Sequence, residues 1–448
     1  MKPASEIPRP AGSLLSHSLR FVRNTMQFYE DAFRECGDIF ATRIPGLGNW
    51  VYICSPELVQ TVFAAPPDVL TGSDLGGFSL AHVIGHGSTS ELDGPAHRER
   101  RDVIAPYLDA QGSLRHVAAV RRITERTVAE WPLGRPFPLV RTLQKIALEA
   151  LLQMMFSQAG PERIRGLARL YEDFSFKGLR SPAVSHPSLQ IDFPGSPWRK
   201  VKQRQQAILR TFAEEIEARL ASIDDPAADD LVLGLARARS ADGGHISREA
   251  MIAELLELLF QGHEMTGNAM TWTLGELLAH PEVLGRLRRD LAAVAGDGDL
   301  ESAHLAHLPY LEAVVYEGLR RRPANFLTGL RRTRQPFPLA GFLLPEGTYI
   351  SVCYPALAVR EDLFPRPKDF DPSRFEGQAP PTDARSPFGS GARACPGQGF
   401  AVMVMKTVLA TIVRKTEMKL AQEELRPVRN AYYYEPNKGL LVTLDKRL

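Results

Sequence analysis

A chain of 448 residues, 44% hydrophobic and 24% charged, can build a large core and has the make-up of an ordinary globular protein, which excludes wholesale disorder. The formal net charge of +2 offers no argument for nucleic-acid binding. The four cysteines, Cys36, Cys54, Cys353 and Cys395, are far apart with no CxxC pair, which speaks against a zinc site and against a secreted disulfide framework.

The N-terminal stretch MKPASEIPRPAGSLLSHSLRF is polar and proline-bearing, and charges interrupt the later apolar runs. No membrane span is expected, and a cytoplasmic location is. FATRIPG and NWVYICSP read as two strands joined by a Gly/Pro turn. From about residue 95 to 300 the pattern is mainly helical, broken by the loop SHPSLQIDFPGSPW at 185–198. Ser247 then caps a long periodic segment that stops at Pro281. Such a helix is roughly 50 Å long and must cross most of the molecule. Gly262 and Gly267 stand in its middle, where glycine is disfavoured.

Helical pattern resumes in LPYLEAVVYEGLRRR and ends at Pro323, and 324–382 reads as small sheets and meanders. A last helix begins just after Cys395. The expected fold is mainly α with small β-sheets, the β-rich portions lying near 38–65 and 324–382. No linker divides it, so 1–448 is taken as one domain.

The sharpest motif is PFGSGARACPGQGFA at 387–401, where Phe388, Gly391, Arg393, Cys395 and Gly397 spell FxxGxRxCxG. Its glycines let backbone approach a flat ligand, and Phe388 can pack beneath it. Cys395 precedes a helix start, where free N–H groups favour thiolate over thiol. Arg393 can neutralise a cofactor carboxylate. On these residues the sequence resembles the cytochrome P450 family.

The resemblance extends over most of the chain. Glu317 and Arg320 in YEGLRRRP match the ExxR pair, and Asp371 to Phe375 resembles the PERF segment, whose arginine is here Arg374. His97 and Arg101 in GPAHRERR are similar to the HxxxR motif that binds propionates. Arg331 aligns with another propionate-binding position, with the adjacent Arg332 as the alternative. The resemblance implies haem b (iron protoporphyrin IX) between the long helix and the Cys395 loop, with Cys395 as the iron ligand.

One segment departs from the pattern. The family's oxygen-activating motif reads roughly (A/G)-G-x-(D/E)-T-(T/S), and here it is Gln261-Gly262-His263-Glu264-Met265-Thr266. Gly262 and Glu264 match, and the resemblance implies a local helix distortion at Gly262 and a proton relay through Glu264. Gln261 replaces a small residue, and Met265 replaces the threonine whose hydroxyl helps order water. A thioether donates no hydrogen bond, and Thr266 is turned about 100° away.

The resemblance therefore implies a monooxygenase acting on a small hydrophobic substrate in secondary metabolism. The alternatives are peroxide-driven oxidation, oxidative coupling or rearrangement on the same scaffold, and, more remotely, a non-catalytic haem-binding protein. Candidate pocket segments are 76–86, 171–176, Phe260 with Gln261, 325–329 and 431–436, the last including Tyr432, Tyr433 and Tyr434. No fused reductase follows Cys395, so electrons are expected from a ferredoxin-type donor with its own reductase. Arg98 and Arg100 are candidates to face it, and a monomer is expected.

Overall fold

The computed structural model describes residues 1–44, 48–73, 81–185, 189–239, 243–325, 328–378, 386–430 and 433–448. The central helix, Arg248–Ala279, starts where the Ser247 side chain accepts the Ala250 N–H and stops just before Pro281. It packs lengthwise on the helix Val140–Met155. The two glycines explain how closely. A Cβ on Gly262 would sit 2.8 Å from Leu151 Cδ1, and one on Gly267 would sit 2.6 Å from Gln144 Cα. The distortion expected at Gly262 is not found, because the helix is α throughout. Both glycines serve helix–helix contact instead.

The helix Pro309–Arg321 crosses the central helix in the same way, with Gly318 against Thr273. The helix Gln398–Lys415 follows Cys395 as expected, and its Gly399 lies on the Asp109–Ala110 backbone. These helices share one apolar core with Val117–Ala129, Pro161–Phe174 and Pro197–Leu220. Among the described residues, no helix is long and apolar enough to cross a membrane.

The expected strands Ile39–Ile44 and Gly48–Ile53 pair antiparallel. They extend into a five-stranded sheet in the order Ile39–Ile44, Gly48–Ile53, Tyr349–Val352, Thr328–Thr333, Leu70–Thr71. Aliphatic residues line one side of it, among them Val51, Ile53, Leu70 and Ile350. An aromatic core of Phe28, Tyr29, Phe40, Trp50, Tyr52 and Tyr434 lies on the other. The pattern reading overlooked a second sheet of Pro136–Pro138, Leu441–Arg447 and Thr416–Leu420, and a hairpin of Pro427–Asn430 with Tyr433–Pro436.

The glycine contacts separate two kinds of substitution. Gly267→Ala must push a methyl group into Gln144 backbone and is expected to cost about 1–3 kcal/mol. Gly285→Ala, in the helix Pro281–Ala295, meets only the flexible end of Arg289 at 3.7 Å and is expected to gain up to about 1 kcal/mol. Thermal denaturation of the two variants should show opposite shifts in Tm.

Candidate active site

The Cys395 loop is built from the backbone outward. Gly389 and Gly391 take φ of +71° and +72°, the left-handed region that suits glycine. The turn closes where the Cys395 N–H donates to the Phe388 carbonyl at 2.8 Å. Phe388 itself leans on the helical core. Burial outweighs the rest and raises the Cys395 thiol, while the Gly397 N–H, Arg101 and the Gln398 N–H pull against it. The helix start therefore aims donors at the sulfur, but within the loop they do not offset burial, contrary to the expectation that this position favours thiolate.

Above this loop, cationic side chains converge. His97 and Arg101 lie one turn apart on the helix Gly94–Leu108, and Arg101 donates to the Ala394 carbonyl at 2.6 Å. Arg331, on the strand Thr328–Thr333, is buried with its guanidinium over the Phe63 ring. Arg332 points to the other face of the strand, over Tyr349. Arg393 pairs with the Asp93 carboxylate and the Leu92 carbonyl.

The electrostatics record the crowding. Burial, then Arg393 and Arg101, push the His97 imidazole down to about 4, and burial and Arg393 push Arg331 down to about 10. Burial would raise the Asp93 carboxyl, yet Ser73, Thr71 and Arg393 hold it below the usual range. Sequence reasoning missed Asp93, whose only signal was its place just before the GPAHRERR helix. Arg101, Arg331 and Arg393 thus gather around a neutral His97, and among the described residues Asp93 pairs with Arg393 and Arg334. That surplus of buried positive charge fits a flat group carrying two carboxylates, beside a cysteine ringed by N–H donors.

The central helix supplies the opposite wall. Between Met251 and Leu277 the accessible residues are Glu257, Leu258, Phe260, Gln261, Gly262, Met265 and Thr266. Glu257, Gln261 and Met265 recur every fourth position and form one stripe. Neighbouring arginines tie the two walls together. Arg101 holds the cysteine loop, and Arg100 pairs with Glu254 of the central helix at 3.1 Å and donates to Gly87 O. Arg100 is thereby turned inward, which corrects its expected place on a partner-facing surface, whereas Arg98 is exposed. Glu254 also accepts the Thr89 N–H at 2.7 Å and its hydroxyl at 2.8 Å, pinning the 85–93 loop to the helix.

Glu264 is buried and paired with Arg180 at 2.6 Å, at the end of the π-helical turn Ser175–Leu179. Arg180 was not foreseen, since nothing in its sequence neighbourhood marks it. Thr266 lies one turn beyond Gly262, on the side that meets Leu151. Of the expected pocket segments, 76–80, 326–327 and 431–432 with Tyr432 lie outside the described residues. Tyr171, Phe174 and Tyr434 are core residues, while Tyr433 packs beside Phe260.

Beneath the cysteine loop, Glu317 and Arg320 form a fully buried pair at 2.6 Å, with Arg374 at 3.4 Å from Glu317. Arg320 also donates to the carbonyls of Ala358 and Pro367, and Glu317 accepts the Asp371 N–H.

A family model described as cytochrome P450 matches residues 8–441. A putative cytochrome P450 135B1 of Mycobacterium tuberculosis is 29% identical over 425 residues, covering 93% of this chain and 87% of the relative. A putative cytochrome P450 138 of Mycobacterium bovis is 29% identical over 408 residues, covering 91% and 88%. Among solved structures, the retinoic acid-bound cyanobacterial CYP120A1 has a TM-score of 0.84 at 23% identity over 100% of both chains, a likeness of fold.

Two predictions follow from the buried charges. His97 and His116 are both held near 4 by burial, so the folded imidazoles stay neutral where the unfolded ones protonate near 6.5. Haem-free protein should keep their contribution above pH 6.5 and lose it as pH falls toward 4, by up to about 3 kcal/mol for each histidine. His116→Gln should flatten part of that slope in urea titrations. Arg320→Ala should cost about 3–5 kcal/mol by stranding Glu317, and should be seen as protein recovered without haem.

Proposed function

The chain belongs to the cytochrome P450 family, and from that premise we propose how its own residues divide the work of a haem monooxygenase. Membership makes it an oxidoreductase with a haem cofactor, a hydrophobic substrate and a redox partner. Thiolate-held haem supplies the activation of dioxygen and the insertion of one oxygen atom into the substrate. The reading below rests on one observation: Cys395, with its N–H donors, lies beside a buried surplus of positive charge and across from an accessible stripe of the central helix.

In this reading Cys395 is the iron ligand, and the Gly397 and Gln398 N–H groups temper the charge on its sulfur. Arg331, Arg393, His97 and Arg101 hold the two propionates. Arg101 does double duty by fixing the Ala394 carbonyl. Phe388, Gly391 and Gly397 shape the surface on which the ring lies. Glu317, Arg320 and Arg374 keep the segments behind it in place and take no part in the chemistry.

Proton supply is where this chain differs. Glu264 is committed to Arg180, Met265 cannot donate, and Gln261 is bonded to Glu257 at 3.1 Å. Proton delivery therefore falls to water held at the edges of Glu264 and Gln261, or to a hydroxyl of the substrate. Met265 also favours a second reading, in which the enzyme uses peroxide or carries out coupling or rearrangement.

Electrons come from a separate acidic ferredoxin with its reductase, for which exposed Arg98 is a contact on the helix that also carries His97 and Arg101. A cytoplasmic monomer in secondary metabolism completes the reading.

The test is the absorption spectrum of the purified ferric protein during titration with fatty acids, steroids, terpenes and aromatic polyketides. A low-spin thiolate-haem spectrum that turns high-spin with one class is expected, and a spectrum without thiolate ligation would overturn the assignment of Cys395. Met265→Thr should raise product formed per electron consumed. Unchanged coupling, product and rate would remove the second reading.

A further inference from the structure

The accessible stripe of the central helix carries one side chain that neither the family motifs nor the proton-supply argument explains. Glu257 lies one turn before Gln261 and two turns before Met265, so all three face the same cleft. Its carboxylate accepts from Gln261 Nε2 at 3.1 Å, and the Ser90 hydroxyl stands near enough to favour its charged form. The carboxylates on either side are already answered. Glu254 has Arg100 and Thr89, and Glu91 accepts the Gly87 N–H at 2.8 Å and pairs with His86. Glu257 has no such answer: among the described residues no lysine, arginine or histidine pairs with it. Burial raises its carboxyl, Gln261 and Ser90 lower it, and Glu254 and Glu91 raise it further.

We propose that Glu257 is a specificity-determining residue that selects hydrophobic substrates bearing a cationic nitrogen. The inference rests on the reading of the cleft as the substrate site. Gln261 fixes the carboxylate by donating to it, leaving its remaining lone pairs toward the cleft. A cationic nitrogen arriving there meets a preset negative charge that water reaches poorly, and such ion pairs are stronger than exposed ones. A carboxylate-bearing ligand of the same length meets repulsion from Glu257, with Glu254 and Glu91 behind it. Leu258, Phe260 and Met265 provide apolar surface beside this anchor for the remainder of such a molecule. The glutamine that replaces a small residue at 261 gains a purpose, because it orients Glu257.

The experiment uses ferric holoenzyme and three chain-matched probes below their micellar concentrations: dodecyltrimethylammonium, dodecanol and dodecanoate. Affinities are read by calorimetry and by the spin-state change. In the unmodified enzyme the ammonium probe should bind at least about tenfold tighter than dodecanoate. Glu257→Gln should weaken the ammonium probe about tenfold and leave dodecanol unchanged. Glu257→Asp should retain a preference for the cation. Glu249→Gln, an exposed change at the start of the same helix, should alter nothing. Equal binding of the ammonium and dodecanoate probes, or an equal loss of all three in Glu257→Gln, would overturn the proposal. The carbon monoxide difference spectrum of each protein keeps the two readings apart. A thiolate-type spectrum without cation preference defeats the role of Glu257 alone, whereas its absence in the unmodified enzyme defeats the assignment of the site.

Discussion

The buried pair of Glu317 and Arg320 is the constraint on which the rest of the architecture leans. Neither side chain is appreciably exposed, so each needs its full set of partners inside the protein. Arg320 finds them in the Ala358 and Pro367 carbonyls, and Glu317 in the Asp371 N–H and Arg374. Apart from Ala358, which ends the short helix Tyr354–Ala358, those partners lie in segments with few ladder bonds of their own. The ion pair thus replaces secondary structure as the organiser of 358–375. Pro309–Arg321 also meets the central helix at Gly318, so the arrangement extends from that irregular chain to the middle of the molecule.

The cleft between that helix and the Cys395 loop is divided by charge. On one side Arg101, Arg331 and Arg393 crowd a neutral His97 and outnumber Asp93, and burial makes their mutual repulsion costly. On the other, Glu254, Glu257 and Glu91 outnumber Arg100. The helix Gly94–Leu108 joins the two because successive residues reach in different directions, Arg100 to the central helix and Arg101 to the cysteine loop. Each side asks for a ligand of opposite sign, and the two requirements sit on different walls. A protein that merely stored haem would need only the first.

What the sequence disclosed follows from the range of the interactions. The Cys395 loop was legible from its own motif, and the Glu317–Arg320 and His97–Arg101 pairs through the family resemblance, since alone such spacings mark ordinary surface contacts. The long helix was legible from its cap and its stop. Arg180, Asp93 and the inward turn of Arg100 were not, since each depends on a partner that only folding brings near. The strands Pro136–Pro138 and Leu441–Arg447 pair across more than three hundred residues of chain, and their short, mixed sequences carry little alternation. Gly262 was misread for a related reason. A helical glycine signals either a distortion or a close neighbour, and only the position of Leu151 decides between them.

That decision also fixes the chemistry open to Met265. The central helix cannot turn to bring Thr266 into the cleft, because Gly262 and Gly267 lock it against Leu151 and Gln144, and Glu254 locks it to Thr89 and Arg100. A rotation of about 100° would drive side chains into backbone at the first contact and strip a buried carboxylate of its partners at the second. The register is therefore imposed by packing and ion pairing on the other faces of the helix. Within it, the stripe that faces the cleft must read Glu257, Gln261, Met265, and hydrogen-bonding capacity has moved toward the start of the helix. Polar chemistry on this wall is set one and two turns away from the methionine, at a carboxylate and an amide that hold each other in place.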